Sequence, residues 1–169
     1  ADGAVSGACH STGNTIRPAL QLLKTKPGIS SVSGFFLMEV PDCEFGDDGV
    51  FVFADCAVNP TLDSEKLAEI AGLSAESFEA FTGGTAKVAM LSFSSMGSAK
   101  SDDVTKVADA VKIAQEKYPE VAIDGELQLD AAIVPSVAAA KAPNSKVAGH
   151  ANTLVFPSLE AGNIGYKLV

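Results

Sequence analysis

The 169 residues carry 12 Lys and Arg against 21 Asp and Glu, a net charge of -9, and 47% of them are apolar. That is enough apolar length to bury one sizeable core, while the acidic balance argues against a nucleic-acid or anionic-membrane surface, both of which need a basic field. The three cysteines, Cys9, Cys43 and Cys56, have no CxxC spacing, which argues for reduced thiols in a reducing compartment and gives no support to a disulfide framework or a metal site. No apolar run approaches the roughly 18 residues of a membrane span, and the first residues lack the regions of a signal peptide.

In chain order, residues 1–5 read as a short buried strand, followed by a small, hydroxylated run that leads into a helix over 18–24. Lys26, Pro27 and Gly28 end that helix and mark a possible domain boundary. Apolar, β-branched or aromatic runs at 32–40, 50–54, 87–93, 121–123 and 153–156 predict strands. Helical spacing predicts helices over 64–81, 103–117 and 130–141, with Asp63 or Ser64 capping the first, Ser101 the second and Asp130 the third. The nine residues 41–49 are too short for a crossover helix and rich in turn formers, so the strands around them form an antiparallel hairpin. The alternation elsewhere implies right-handed crossovers, hence a three-layer α/β/α fold on a mostly parallel, mixed sheet. The chain starts without Met inside a strand and stops inside a helix without a cap signal, as expected of a piece of a longer protein.

In open α/β sheets ligands bind outside the carboxyl ends of the strands, so the strand-to-helix loops are where chemistry is sought. The first such loop holds the chain's only arginine, Arg17, behind Ser6, His10, Ser11, Thr12 and Thr15. A helix start leaves backbone N–H groups without partners, and an oxyanion there meets donors, the positive end of the dipole and the planar fork of the arginine. Thr12, Asn14 or Thr15 serves as the cap, Pro18 falls near the first turn, and Lys24 lies on nearly the same face as Arg17. A plain cap with a solvated Arg17 is the competing reading.

The loop with Ser94 and Gly97 either cradles an anion or is a polar turn, and it matches no phosphate-binding fingerprint. Asp124, Glu126, Gln128 and Asp130 share one parity, and they read either as acid and base or as a solvated strand edge. The run from Ala161 to Lys167, with Asn163, resembles a helix start where Gly162 and Gly165 permit close backbone approach. His10 shapes its loop better than it completes a catalytic triad. Cys43 lines a cleft rather than acting as a nucleophile, since nothing basic lies near it in sequence.

The chain resembles the phosphate acetyltransferases (phosphotransacetylases). The resemblance rests on Asp2-Gly3-Ala4-Val5-Ser6-Gly7-Ala8-Cys9-His10-Ser11-Thr12, Thr15-Ile16-Arg17-Pro18, Val40-Pro41-Asp42-Cys43-Glu44 and Phe53-Ala54-Asp55. It continues through Leu91-Ser92-Phe93-Ser94, Asp124-Gly125-Glu126-Leu127-Gln128-Leu129-Asp130, Lys141-Ala142-Pro143 and Gly162-Asn163-Ile164-Gly165-Tyr166-Lys167. Phosphate butyryltransferases share the fold but resemble the opening motif less.

The resemblance implies reversible acetyl transfer between coenzyme A and phosphate through a ternary complex, with coenzyme A as substrate and no further cofactor or metal. It implies two α/β domains of the isocitrate/isopropylmalate dehydrogenase-like kind around a cleft, in a cytoplasmic homodimer. Residues 1–28 then end the first domain and 29–169 form most of the second. Arg17 becomes the catalytic residue that binds the phosphoryl group, Ser6, His10, Ser11, Thr12, Thr15 and Cys43 bind substrate, and Ser94, Gly97, Gln128, Asp130, Asn163 and Lys167 are possible cleft residues. An Arg-Gly-Cys-Ser-like motif and the Asp proposed as base are absent from this sequence and expected beyond Val169. The 169 residues alone are therefore expected to be inactive. A non-catalytic acetyl-CoA-binding regulatory module, like the acetyltransferase-like domain of some malic enzymes, and a purely structural dimerisation domain are the alternatives.

Overall fold

The computed structural model describes residues 3–169, and the chain divides into a unit that ends at Val32 and a second spanning Ser33–Val169. The first unit is a loop and one helix, α1 (Thr12–Leu22). Ser11 is its cap: the backbone there is extended, and the hydroxyl accepts a hydrogen bond from the Asn14 N–H. The helix therefore starts well before Pro18, and neither Thr12, Asn14 nor Thr15 caps it. Pro18 lies inside α1, where its missing N–H deprives the Asn14 carbonyl of its usual donor. The helix stops at Leu22, and Lys24 has a φ of 62°, so Lys24 leaves the helical face of Arg17. Residues 3–5 form no strand, because no ladder partner for them exists among the described residues of this unit. Residues 1 and 2 of that expected strand lie outside the described residues.

The second unit is built on strands β1 (Phe35–Glu39), β2 (Val50–Ala54), β3 (Lys87–Leu91), β4 (Ala122–Leu127) and β5 (Thr153–Val155), in spatial order β1-β2-β5-β3-β4. β1 runs antiparallel to β2, and the other pairs are parallel. The predicted hairpin forms, with Phe35 opposite Ala54 and Glu39 opposite Val50. Its turn requires glycine at Gly49: φ is 86°, and a Cβ there would stand 2.3 Å from the Val40 carbonyl oxygen.

The strands are apolar on both faces because both are covered. Val52, Ala54, Val88, Met90 and Val155 pack with α2 (Ser64–Thr82) and α3 (Asp102–Lys117) through Leu67, Ile70, Phe78, Val107 and Val111. Phe51, Phe53, Ala89, Leu91 and Leu154 face α4 (Leu129–Ile133), α5 (Pro135–Lys141) and α6 (Leu159–Leu168) through Ala131, Ala132, Ala138, Ala161 and Tyr166. A side chain as fully buried as Phe78 or Ile70 contributes about 1.5–3 kcal/mol. This is the three-layer α/β/α arrangement expected.

Asp63 and Ser101 cap α2 and α3, accepting from the N–H groups of Lys66 and Val104. The single helix expected over 130–141 is two, since Val134 is extended ahead of Pro135, which opens α5; a residue preceding proline disfavours helix. Asp130 is not a cap: it sits in the first turn of α4, after Gln128. β4 is longer than its apolar run, because the polar stretch Asp124, Gly125 and Glu126 also belongs to it. Its ladder passes from Met90–Gly125 to Leu91–Leu127, leaving Glu126 as a bulge. The last helix begins at Leu159, capped by Ser158, so Ala161 to Lys167 lie within it. Among the described residues no helix is long and apolar enough to cross a membrane.

Candidate active site

In the first unit, the loop before α1 folds back on the first helical turn. Gly7 has a φ of 107°, and a Cβ on it would lie 3.5 Å from the Thr15 side chain. The Thr15 hydroxyl donates to the Ser11 carbonyl at 3.1 Å. Ser11 thus takes the Asn14 N–H on its side chain and the Thr15 hydroxyl on its main chain, gathering Gly7, Ser11 and Thr15. Ser6, His10 and Thr12 are exposed around this turn, and Arg17 is exposed in the second turn. A helical side chain tilts toward the N-terminus, so a long arginine there can reach back over the helix start. α2, α3, α4 and α6 each carry a carboxylate in the first turn, whereas α1 and the short α5 carry none. No carboxylate in its own first turn offsets the positive end of α1.

In the second unit the chain leaves β3 for α3 on one face and leaves β5 for α6 on the other. Adjacent strands whose connections diverge open a crevice at their carboxyl ends. It is lined by Ser92, Phe93, Asp103, Lys106, Pro157 and Ser158 and encloses about 160 Å³. Lys106 Nζ donates to the Pro157 carbonyl at 3.0 Å and lies 3.8 Å from Asp103. A second cavity, of about 310 Å³, lies by Met96, Asp124, Lys141, Pro143, Asn144 and Ser145.

The cleft residues named from the sequence form three groups. Ser94 and Gly97 belong to the β3–α3 loop, while Gln128 and Asp130 meet at Lys141, whose ammonium donates to Gln128 Oε1 at 2.9 Å and Asp130 Oδ2 at 2.8 Å. The hydrogen bond from Lys141 holds the Asp130 carboxyl below its ordinary value. Asn163 and Lys167 stand apart from these on α6. Lys167 Nζ donates to Asn163 Oδ1 at 2.7 Å, and the Asn163 amide donates to the Cys56 carbonyl at 3.3 Å. Cys43 is half-buried in the hairpin loop against the second core face.

Among the buried carboxylates, Glu126 and Asp55 are held by hydrogen bonds that sequence reading did not foresee. Glu126, 4% exposed, accepts from the Ser94 hydroxyl at 2.7 Å and the Gly97 N–H at 2.6 Å. The shared parity of Asp124, Glu126, Gln128 and Asp130 does not become a shared face, because the bulge at Glu126 interrupts the alternation. Asp55, fully buried, accepts from the N–H groups of Ala57, Val58 and Asn59 at 2.8–3.0 Å and from the Asn59 side chain. An Asp directly after a strand, with Asn59 four residues on, is the signal of such a turn.

These features define a three-layer α/β protein with a crevice at the carboxyl ends of its parallel strands, preceded in sequence by an anion-receptive helix start. The chain belongs to the phosphate acetyl/butaryl transferase family, whose model matches residues 1–169. It is 60% identical over 168 residues to a phosphate acetyltransferase of Clostridium acetobutylicum, covering 99% of this chain and 50% of that protein. A solved phosphotransacetylase from Streptococcus pyogenes superposes with a TM-score of 0.92 at 55% identity, over 99% of this chain and 50% of that one. The EutD phosphotransacetylase from Staphylococcus aureus gives 0.85 at 59% identity, over 96% of this chain and 48% of that one. A branched-chain phosphotransacylase from Enterococcus faecalis, 23% identical with a TM-score of 0.68, shares the fold. The chain spans about half the length of the curated relatives it matches.

Proposed function

We propose that these residues supply part of the active site of a phosphate acetyltransferase, which passes acetyl reversibly between the coenzyme A thiol and inorganic phosphate. The observation that carries this reading is the α1 start, folded around Ser11, free of carboxylates and followed by the chain's only arginine. Acetyl phosphate places a dianionic phosphoryl group next to the carbonyl to be attacked. Unpaired N–H groups at the helix start and two donors from Arg17 hold its oxygens. The coenzyme A sulfur, its proton passed to a base, forms the C–S bond; the acetyl–oxygen bond breaks and phosphate leaves with the electron pair. Charge grows on the leaving phosphate, so the same donors stabilise the transition state more than the ground state. Ser6, His10, Thr12 and Thr15 surround that phosphate; Cys43, in the hairpin loop that leads into the start of β2, lies at the opposite end of the strands from the β3–β5 crevice and does not line it. The first unit then ends one α/β domain, the second forms most of another, and the assembly is a cytoplasmic homodimer.

A thiol of pKa about 8.5 needs a base to become the attacking thiolate. The motif and Asp that the resemblance expects for this are not among these 169 residues, so the chain by itself turns over little or no acetyl phosphate. Calorimetric titration of acetyl phosphate into the full-length protein tests the assignment. Arg17→Ala weakens binding by about tenfold or more, the loss of a charge-assisted hydrogen-bonding pair. Unchanged affinity in the variant removes Arg17 from the site, and absence of binding to either protein overturns the function.

A further inference from the structure

Residues 92–98 invert the polarity usual in a loop: Ser94 and Ser95 are 0% and 4% exposed, whereas Phe93 and Met96 are 60% and 42% exposed. The serines are inside because their hydroxyls are engaged there. Ser94 Oγ donates to Glu126 and accepts from the Ala99 N–H at 3.0 Å, and Ser95 Oγ accepts from the Gln128 N–H at 2.9 Å. The Gly97 N–H donates to the same Glu126 oxygen, and the Met96 N–H donates to the Glu126 carbonyl at 2.9 Å. One bulged residue of β4 therefore ties Ser94, Met96 and Gly97 and dictates that their neighbour Phe93 faces outward. A phenyl ring left in water forgoes burial. Phe93 lines the crevice between the β3 and β5 ends together with Lys106 and Pro157, where ligands of such sheets bind.

We propose that Phe93 is the contact of this crevice for the apolar pantetheine arm of coenzyme A, and that Glu126 is the positioning residue that sets it. The proposal rests on the phosphate acetyltransferase reading. Coenzyme A must lead its thiol to the acetyl group along a stretch of methylenes and amides, and a space of about 160 Å³ admits a segment of that arm rather than the whole. Glu126 does not touch the substrate; it acts through the loop.

The test is steady-state kinetics of the full-length protein, with coenzyme A and acetyl phosphate varied separately. Phe93→Ala raises KM for coenzyme A about tenfold, the effect expected of a lost apolar contact, and leaves KM for acetyl phosphate and the melting temperature unmoved. Glu126→Ala raises the same KM, the double variant rises no further than either single one, and Glu126→Gln, which keeps an acceptor oxygen, stays near wild type. Should Glu126→Ala not fold, Glu126→Asp, one methylene short of the loop, gives the same reading. An unmoved KM for coenzyme A in Phe93→Ala, multiplying effects in the double variant, or equal rises in both KM values overturns the proposal. A wild-type protein that makes no acetyl-CoA from acetyl phosphate overturns the function beneath it instead.

Discussion

Cys56 lies just past the end of β2, fully buried, with Gly162 of α6 close against it. Burial first, and the neighbouring charge of Asp55 second, push its thiol up to about 12 from 9.0, with Lys167 opposing. Cys9 is exposed and Cys43 half-buried, so a thiol reagent labels Cys9 first, Cys43 more slowly and Cys56 only on unfolding. The shift also links stability to pH. The unfolded chain loses this proton near 9 while the folded chain keeps it to about 12, so the contribution is whole below pH 9 and declines as pH rises through that window. Urea midpoints at about pH 8 and about pH 10 check this: Cys56→Ala falls less between them than wild type does. Arg17 stood out in the sequence because a lone arginine behind a run of small hydroxylated residues is a local signal. The burial of Glu126 did not, since it depends on a bulge and on a loop some thirty residues earlier, and its parity with Asp124 and Gln128 reads locally as acid and base or as a solvated edge.

Among the elements, α6 is placed by how closely its backbone approaches the β2 end. A Cβ on Gly162 would lie 2.6 Å from the Asp55 carbonyl oxygen and 3.0 Å from Cys56 Sγ. Gly162→Ala must therefore push α6 outward and costs about 1–3 kcal/mol, more than the loss of the exposed α2 cap in Asp63→Ala, about 1 kcal/mol. Chemical denaturation of both variants ranks them, and equal midpoints contradict the close approach. β2 and α2 were readable nearly to their ends because a strand apolar on both faces and a capped amphipathic helix announce themselves. The start of α1 was not, because small polar residues carry no apolar period and only the bond from Asn14 to Ser11 reveals the cap. The Pro135 break was available in the sequence, yet the alanine-rich period across it reads as one helix.

At the scale of the molecule, alternation of strand and helix foretold layers and mostly parallel pairing, but not strand order. That order rests on which apolar faces meet across long sequence separations: Val52 pairs with Thr153, and Val88 with the same Thr153. The central position of β5 bears on how the protein is made. Until β5 leaves the ribosome, the nascent chain holds two separate ladders, β1 with β2 and β3 with β4, whose inner edges have nothing to bond. Closing the sheet brings together segments about a hundred residues apart, which slows folding and leaves open edges in the meantime. A chain stopped after His150 is thus expected to show no cooperative urea transition and to aggregate, whereas one that includes β5 and α6 unfolds in a single step for the second unit. Of the five described strands, the one latest in the chain lies between the other two pairs, so neither ladder can join the other until Val155 has been made.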